Sequence, residues 1–352
     1  MTPVQPATER HVGSTDARQL AELARAAGVG SSPDDALQWN REAIALLAGE
    51  EDTPLLADVL RWQGTVFRDR GRTNEAEPLY RQSLDIATRI RYDAGIGHAL
   101  NCLASLAQRR GEITLAANLV TDALVVAERC GDKRLMGMLQ QNLGMFADIR
   151  GNPAAALAHY RVSLRIFEST NDMQLVCWIL NNLGVLLLKE GDYDEALKSF
   201  QRAIEISRSR GDLMSEGILE ENRAELELTR GEVDEAFASI SRAHEVAEQR
   251  RDDLRRAAAL KLRGAYQRLV GRPAEAVDTL RQALTLSAIG EDALLGAEVL
   301  YQFGLALHAA GQEQSAREVW RASLDAFERI AARHWVVRVR QQLSGGITGR
   351  YL

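Results

Sequence analysis

The chain of 352 residues contains little proline, few aromatic residues and only three cysteines. Seven prolines and an aromatic content of 5%, in a chain dominated by Ala, Leu, Arg and Glu, favour a helical protein. Cys102, Cys130 and Cys177 are far apart and form no CxxC pair, which indicates reduced thiols rather than a disulfide framework. The net charge of −6 does not provide the excess of positive charge that is typical of nucleic-acid-binding proteins.

Long apolar runs are missing as well. No run approaches the roughly 18 apolar residues that a membrane span requires. The first residues, MTPVQPATERHVG, contain no apolar core of a signal peptide. We therefore expect a soluble, cytoplasmic protein without a membrane partner.

The common catalytic and metal-binding motifs are also absent. The six histidines form no HExxH motif, and no GxGxxG, GxxxxGK[ST] or GxSxG sequence occurs. Four glutamates cluster in one segment, at Glu220, Glu221, Glu225 and Glu227. We interpret this cluster as a solvated helix face flanked by Arg223 and Arg230, in preference to a pair of catalytic carboxylates. The sequence predicts no enzyme, no cofactor and no metal site.

What the sequence does contain is a strict repeat. Seven glycines follow one another at intervals of forty residues: Gly71, Gly111, Gly151, Gly191, Gly231, Gly271 and Gly311. Self-similarity at such a period indicates a one-dimensional stack of supersecondary units rather than two or three globular domains. Most of the chain is then scaffold.

Other residue types also recur every forty residues, and we call each set of equivalent positions in successive repeats a column. Five residues after each glycine stands an alanine, nine after it a large apolar residue, and twelve after it a small one, as in Ala196, Phe200 and Ala203. These offsets share one face of a helix. A further small column precedes each glycine by seven residues: Gly64, Ala104, Gly144, Gly184, Ala224, Gly264 and Gly304. Each unit is therefore predicted to be two antiparallel helices joined at a left-handed glycine.

Helix starts are predicted from capping residues. Asn152 followed by Pro153, and Asp192 followed by Glu195, are typical of N-termini. Aspartates that suit the N-cap of the next helix recur at Asp132, Asp172, Asp212, Asp252 and Asp292.

The pattern Leu180-x-x-Leu183-Gly184-x-x-Leu187, followed by Ala196-x-x-x-Phe200, resembles the tetratricopeptide repeat (TPR), with leucines at two positions that are usually aromatic. The usual period is about 34 residues, so each helix is longer here by close to one turn. The longer repeat, with Asn181-Asn182-Leu183-Gly184, is similar to the arrays of kinesin light chains and of large bacterial signalling regulators. The resemblance implies an all-α, right-handed TPR superhelix (an α-solenoid) whose first helices line a concave groove.

The register extends to both ends of the chain. Ala24, Ala36 and Ala43 occupy the small columns one repeat earlier, and Leu343 continues the apolar column one repeat later. We predict about eight hairpins and an Arg-bearing C-terminal capping helix, which form a solenoid over residues 14–346. Residues 1–13 and 347–352 are predicted to be flexible tails.

Positions two and three before the small column are predicted to face the groove. The earlier position holds Arg61, Asn101, Gln141, Asn181, Glu221, Lys261 and Tyr301. The later one holds Trp62, Cys102, Asn142, Asn182, Asn222, Leu262 and Gln302. The central carboxamides can each donate to and accept from a peptide unit, and in the related arrays asparagines at this position contact bound peptide. The alternatives are hydrogen bonds between successive first helices, or inheritance from a duplicated unit.

Other side chains give the predicted groove its character. Trp178 adds an aromatic surface beside the carboxamides, either as a ligand anchor or as a buried contact between repeats. Arg61 near one end, and Glu221 and Glu225 further along, would orient a charged ligand.

The sequence thus predicts a non-enzymatic adaptor that binds a protein or peptide segment. The alternatives are a ligand-sensing regulatory module that signals to a separate effector, and an assembly scaffold or homo-oligomer.

Overall fold

The computed structural model describes residues 16–24, 33–47, 52–289, 292–330 and 332–344, and these consist of helices joined by short turns. The predicted tails, residues 1–13 and 347–352, lie outside the described residues. The chain divides into two compact units, Met1–Asp172 and Met173–Leu352. The division falls between two repeats.

The first unit contains four pairs of helices. Residues 16–24 form α1. The helices that follow are α2 (Pro33–Leu47), α3 (Pro54–Asp69), α4 (Thr73–Arg89), α5 (Asp93–Arg109), α6 (Ile113–Cys130), α7 (Lys133–Ile149) and α8 (Pro153–Ser169). The odd-numbered helix of each pair is the first helix of its hairpin.

The second unit contains four more pairs and one final helix. Its helices are α9 (Met173–Glu190), α10 (Tyr193–Ser209), α11 (Leu213–Arg230), α12 (Val233–Arg250), α13 (Asp253–Leu269), α14 (Pro273–Ile289), α15 (Ala293–Ala309), α16 (Glu313–Arg329) and α17 (Arg333–Leu343). In α17, Val339 is fully buried and Trp335 stacks on Phe327 of α16 with ring centroids 5.1 Å apart. The predicted eight hairpins and capping helix are confirmed.

The repeat glycines end the first helices as predicted. Their φ angles lie between +73° and +81°, in the left-handed region that glycine adopts without strain. After Gly191, the amide of Asp192 donates to the carbonyl of Leu187 at 2.9 Å, which is the 6→1 hydrogen bond of a Schellman motif.

A second set of left-handed residues lies halfway between the repeat glycines. Gly131 and Gly211 occupy this position with φ of +70° and +65°, but Arg91, Asn171 and Arg251 also occupy it, with φ of +54° to +55°. The chain therefore turns through the left-handed region at the end of both helices of a repeat. The sequence pattern did not predict this second turn because only two of these residues are glycines.

Capping follows the prediction at most helix starts. Asp132 Oδ1 accepts a hydrogen bond from the amide of Leu135 at 2.9 Å, and Asn152 Oδ1 accepts one from Ala155 at 3.1 Å. Asp212, Asp252 and Asp292 cap their helices in the same way. The predicted capping box at Asp192 is wrong. The Asp192 side chain makes no capping hydrogen bond, and the Glu195 carboxylate pairs with Lys198 at 2.6 Å instead.

The small and large columns interlock within each hairpin. A Cβ added at Gly144 would lie 2.7 Å from the ring of Tyr160, so the glycine is the space into which the aromatic side chain fits. Where the small residue is alanine, the large partner is smaller: Ala104 pairs in register with Val120, and Ala224 with Ile240. Ala24, Ala36 and Ala43 are at most 1% exposed, which confirms the register in the first hairpin.

Candidate functional site

Four of the predicted carboxamides join successive first helices in pairs. In the first unit, Asn142 Nδ2 of α7 donates to Asn101 Oδ1 of α5 at 2.9 Å. In the second unit, Asn222 Nδ2 of α11 donates to Asn181 Oδ1 of α9 at 2.7 Å. The partners are 41 residues apart in both cases. We call each of these hydrogen-bonded asparagine pairs a clasp. Each unit contains one.

Each clasp leaves hydrogen-bonding capacity unused. A carboxamide has two N–H groups and an oxygen with two lone pairs, and the clasp uses one N–H of one partner and one lone pair of the other. All four asparagines are partly exposed, as are the neighbouring Gln141 and Asn182. The alternative of hydrogen bonds between first helices is thus observed for two pairs, and it leaves donors and acceptors at the surface. We call this side of the first helices in each unit the carboxamide face.

Arg61 is held in place by its neighbours on the same side of the first unit. Its Nη2 atom lies 2.9 Å from Asp58 Oδ1, and its guanidinium lies 5.7 Å from the centroid of the Trp62 ring. Tyr92 donates from its hydroxyl to Asp58 Oδ2 at 3.2 Å. Arg61 is therefore neutralised by Asp58 and keeps 15% of its side chain exposed.

Trp178 of α9 points outward from the second unit. It is 45% exposed, whereas Cys177 and Ile179 beside it are buried. The alternative of a buried contact between repeats is wrong for this residue. An exposed indole one turn before the Asn181 clasp provides apolar surface next to polar groups.

On α11, Glu221 is buried and Glu225 is half-buried. Glu221 is 8% exposed and lies 3.0 Å from Arg255 of α13. Burial raises the pKa of Glu221 to about 7, against the opposing effect of Arg255. Burial also raises the pKa of the Glu225 carboxyl, and the nearby Lys261 acts in the opposite direction.

Glu225 lines a small cavity near the end of the second unit. The cavity measures about 20 Å³ and its other lining residues are Lys261, Leu262, Glu298, Gln302 and Trp335. Lys261 Nζ binds Glu298 Oε2 at 2.5 Å, and Gln302 is only 3% exposed. The predicted groove columns included Lys261, Leu262 and Gln302. They did not include Glu298 and Trp335, which come from another turn of α15 and from the capping helix.

The interpretation of the glutamate cluster as a solvated face is wrong for Glu220 and Glu227. They are 0% and 5% exposed, and they belong to a buried ion-pair network together with Glu216. Arg208 of α10 binds Glu216 and Glu220, and Arg223 binds Glu220 and Glu227. Arg230, which was expected to flank the cluster, pairs with Asp194 and Glu232 instead. Arg223 of α11 supplies part of the compensating charge, and Arg208 of α10 and Arg242 of α12 supply the rest, which the pattern of α11 alone could not show.

Metal-ligand clusters and membrane-spanning helices are both absent from the described parts of the chain. Within them, no three His, Cys, Asp or Glu side chains are grouped as metal ligands would be. None of the described helices combines the length and the hydrophobicity needed to cross a bilayer.

Comparison with protein families identifies tetratricopeptide repeats in both units. Three family models, each described as tetratricopeptide repeat, match residues 64–90, 177–209 and 215–289. No curated protein matches the chain significantly.

Several solved structures have this fold over most of the chain. A signal transduction ATPase (STAND protein) with a tetratricopeptide repeat sensor from Pyrococcus horikoshii is 13% identical with a TM-score of 0.68, over 94% of this chain and 50% of that protein. Aspartyl phosphate phosphatase F from Bacillus subtilis is 13% identical with a TM-score of 0.62, over 100% and 99%. The Rap conjugation gene regulator of plasmid pLS20, in complex with the Phr* peptide, is 13% identical with a TM-score of 0.61, over 92% and 96%. At these identities the likeness concerns the fold. The matching family models and the forty-residue helical hairpins show that the chain contains tetratricopeptide repeats.

Proposed function

We propose that this chain is a non-enzymatic binding module that holds an extended peptide segment of a partner on its carboxamide face. The observation that carries the proposal is the repeated clasp, Asn101–Asn142 and Asn181–Asn222, at the same spacing in both units. Asparagine has poor helix propensity, so its recurrence in the middle of first helices calls for a reason beyond helix formation. Binding to a peptide backbone supplies that reason.

The clasp prepares the carboxamides for this role. A hydrogen bond between Asn142 and Asn101 fixes the orientation of both side chains before a ligand arrives, which lowers the entropic cost of binding. The unused N–H and C=O groups can then pair with the C=O and N–H of a peptide unit, whatever its side chains are. Exposed Trp178 adds an apolar contact that selects among partners.

The structural neighbours support the same class of function. The pLS20 conjugation gene regulator was solved with the Phr* peptide bound, so a chain of this fold and length holds a peptide. A second candidate function, a ligand-sensing regulatory module, is favoured by the STAND protein in which tetratricopeptide repeats form a sensor. In that case the bound peptide is the signal, and a separate effector carries the output.

A selection from a random peptide library tests the proposal because it requires no named partner. Peptides retained by the full chain are re-tested against a variant in which Asn142, Asn182 and Asn222 are all changed to Ala. The matched control is Asn118→Ala, an exposed asparagine on the second helix α6. We expect the triple variant to weaken binding by about tenfold or more, because each lost hydrogen bond contributes roughly 1 kcal/mol.

The outcome separates the alternatives. Equal binding by the triple variant and Asn118→Ala, or a library that yields no binder, contradicts the proposal. Mass in solution, measured by light scattering with and without a selected peptide, then distinguishes a monomeric binder from a self-assembling scaffold.

A further inference from the structure

The cavity beside Gln302 differs from the two clasps at an equivalent pair of positions. Lys261 and Gln302 are 41 residues apart on α13 and α15, as Asn101 is from Asn142 and Asn181 from Asn222. Here Lys261 does not donate a hydrogen bond to Gln302 Oε1. Lys261 Nζ turns to Glu298 Oε2 at 2.5 Å, and Gln302 Oε1 is buried without a hydrogen-bond partner among the described residues.

An unpartnered acceptor at this depth calls for an explanation. Gln302 is 3% exposed, and a buried polar atom without a partner lowers the stability of the folded chain. Because Gln302 lines the cavity, a group bound there can satisfy its oxygen. The volume of about 20 Å³ accommodates one group of the size of a water molecule.

The lining favours a donor that carries positive charge. Three side chains offer acceptor oxygens, namely Glu225, Glu298 and Gln302. The only ammonium among the described lining residues, that of Lys261, is already bound by Glu298. The cavity therefore has two carboxylates and an amide oxygen for one cation, and a second cation would balance the charge.

Among the described residues, no cationic side chain other than Lys261 lines the cavity. Arg255 is bound by Glu221 at 3.0 Å. The guanidinium of Arg338 lies 5.1 Å from the centroid of the Trp335 ring, on the capping helix. It lowers the pKa of Glu225 at a distance, but it does not line the cavity.

We infer that this cavity is a binding site for a primary ammonium group, which donates to Gln302 Oε1 and to the carboxylates of Glu225 and Glu298. A primary ammonium has three N–H donors and is about as large as a water molecule, whereas a guanidinium is larger than the cavity. A lysine side chain or the free N-terminus of a peptide both supply this group. The identification of the ligand as a peptide rests on the proposed function. The ammonium site itself rests on the cavity.

The test uses n-butylammonium chloride as the probe and the full chain labelled with ¹⁵N. The five tryptophan indole N–H signals report on the protein, and Trp335→Phe identifies the signal next to the cavity. We expect a saturable shift of the Trp335 signal with n-butylammonium, and none with n-butanol or sodium chloride at equal concentration. Glu225→Gln and Gln302→Leu should each weaken the probe by about tenfold or more. Asn118→Ala, at an exposed position on α6 outside the clasps and the cavity, should leave the titration unchanged.

Other results overturn the inference. If the Trp335 signal does not shift, if n-butanol gives the same curve, or if neither variant changes the affinity, the cavity is a water site. Glu225→Gln keeps the shape of the side chain, so it decides the matter if Gln302→Leu does not fold. Selected peptides with a free or acetylated N-terminus, and with lysine or acetyl-lysine, separate the two sources of the ammonium. A library without binders, combined with a positive n-butylammonium titration, would contradict the proposed function and leave the ammonium site intact.

Discussion

Asn142 and Asn101 are joined side chain to side chain at 2.9 Å across two successive first helices, and Asn222 and Asn181 repeat the arrangement at 2.7 Å. A hydrogen bond of this kind holds the first helices in register and fixes the orientation of both carboxamides. It also leaves each pair with free donors and acceptors at a partly exposed surface. The structural role and the binding role are therefore compatible, and experiments have to separate them.

The packing of glycine against an aromatic ring predicts the effect of one methyl group. Gly184→Ala places a Cβ against the ring of Phe200, so we expect the free energy of unfolding to fall by about 1–3 kcal/mol. Phe200→Ile in the same chain should restore much of the loss, because Ala224 with Ile240 already occurs in the neighbouring repeat. Urea denaturation of the wild type, both single variants and the double variant measures this. Strictly additive losses would contradict the account.

The left-handed arginines predict a stabilising substitution. Arg251 has a φ of +54° and is exposed, so Arg251→Gly removes the strain of a side chain in this conformation without removing a buried contact. Glycine loses more conformational freedom on folding, so we expect a net gain of about 0.5–1 kcal/mol. Arg250→Gly, at the last residue of α12, should instead lower stability, because it lies within the helix. Thermal denaturation of both variants measures the change, and loss of stability in Arg251→Gly would show that the strain is absent.

The buried Glu221 predicts how stability depends on pH. Its pKa is about 7 in the folded chain, against 4.5 for an unperturbed carboxyl, so the folded state binds more protons between these values. Stability should therefore fall as the pH rises through this window, by roughly 3 kcal/mol in total. Glu221→Gln lacks the titrating group, and Arg255 loses its ionised partner at every pH in that variant.

Denaturation of wild type and variant at about pH 4.5 and about pH 8 measures the difference. The free energy of unfolding of the wild type, relative to Glu221→Gln, should decline between the two values. Glu205→Gln, at an exposed position on α10, keeps Glu221 and serves as the control for the loss of a carboxylate elsewhere on the chain. A constant difference for Glu221→Gln would mean that the carboxylate stays ionised throughout the range.

Much of the fold follows from columns that can be read in the sequence. The repeat glycines adopt the left-handed conformation because the helix ends there, and their register correctly placed Ala24, Ala36 and Ala43 in the core. The second turn of each repeat could not be predicted in the same way, because Arg91 and Arg251 have no preference for that conformation. The hydrogen bonds that end the helix accompany it, from the amide of Tyr92 to the carbonyl of Ala87 at 2.8 Å and from Asp252 to Ala247 at 3.0 Å.

The site was predictable only in part. Spacing alone placed Asn101 and Asn142 on adjacent first helices, but only their geometry shows that they bind each other. Glu220 occupies a column that holds leucine in several other repeats, and its burial depends on Arg208 from another helix. The cavity at Gln302 depends on Trp335 of the capping helix, whose sequence departs from the repeat. Contacts between helices carry this information, and periodicity does not.

If the clasp asparagines hold the backbone of a bound peptide, blocking single backbone N–H groups of that peptide should weaken binding. The most direct measurement combines Asn142→Ala and Asn222→Ala with N-methylation of single amides in a selected peptide, and determines each affinity by calorimetry. We expect methylation at one or more positions to weaken binding to the wild type by about tenfold, and the same methylation to have little further effect on the variant that lacks its partner. Equal effects of methylation on wild type and on both variants would contradict the claim, because the asparagines would then make no contact with the peptide backbone.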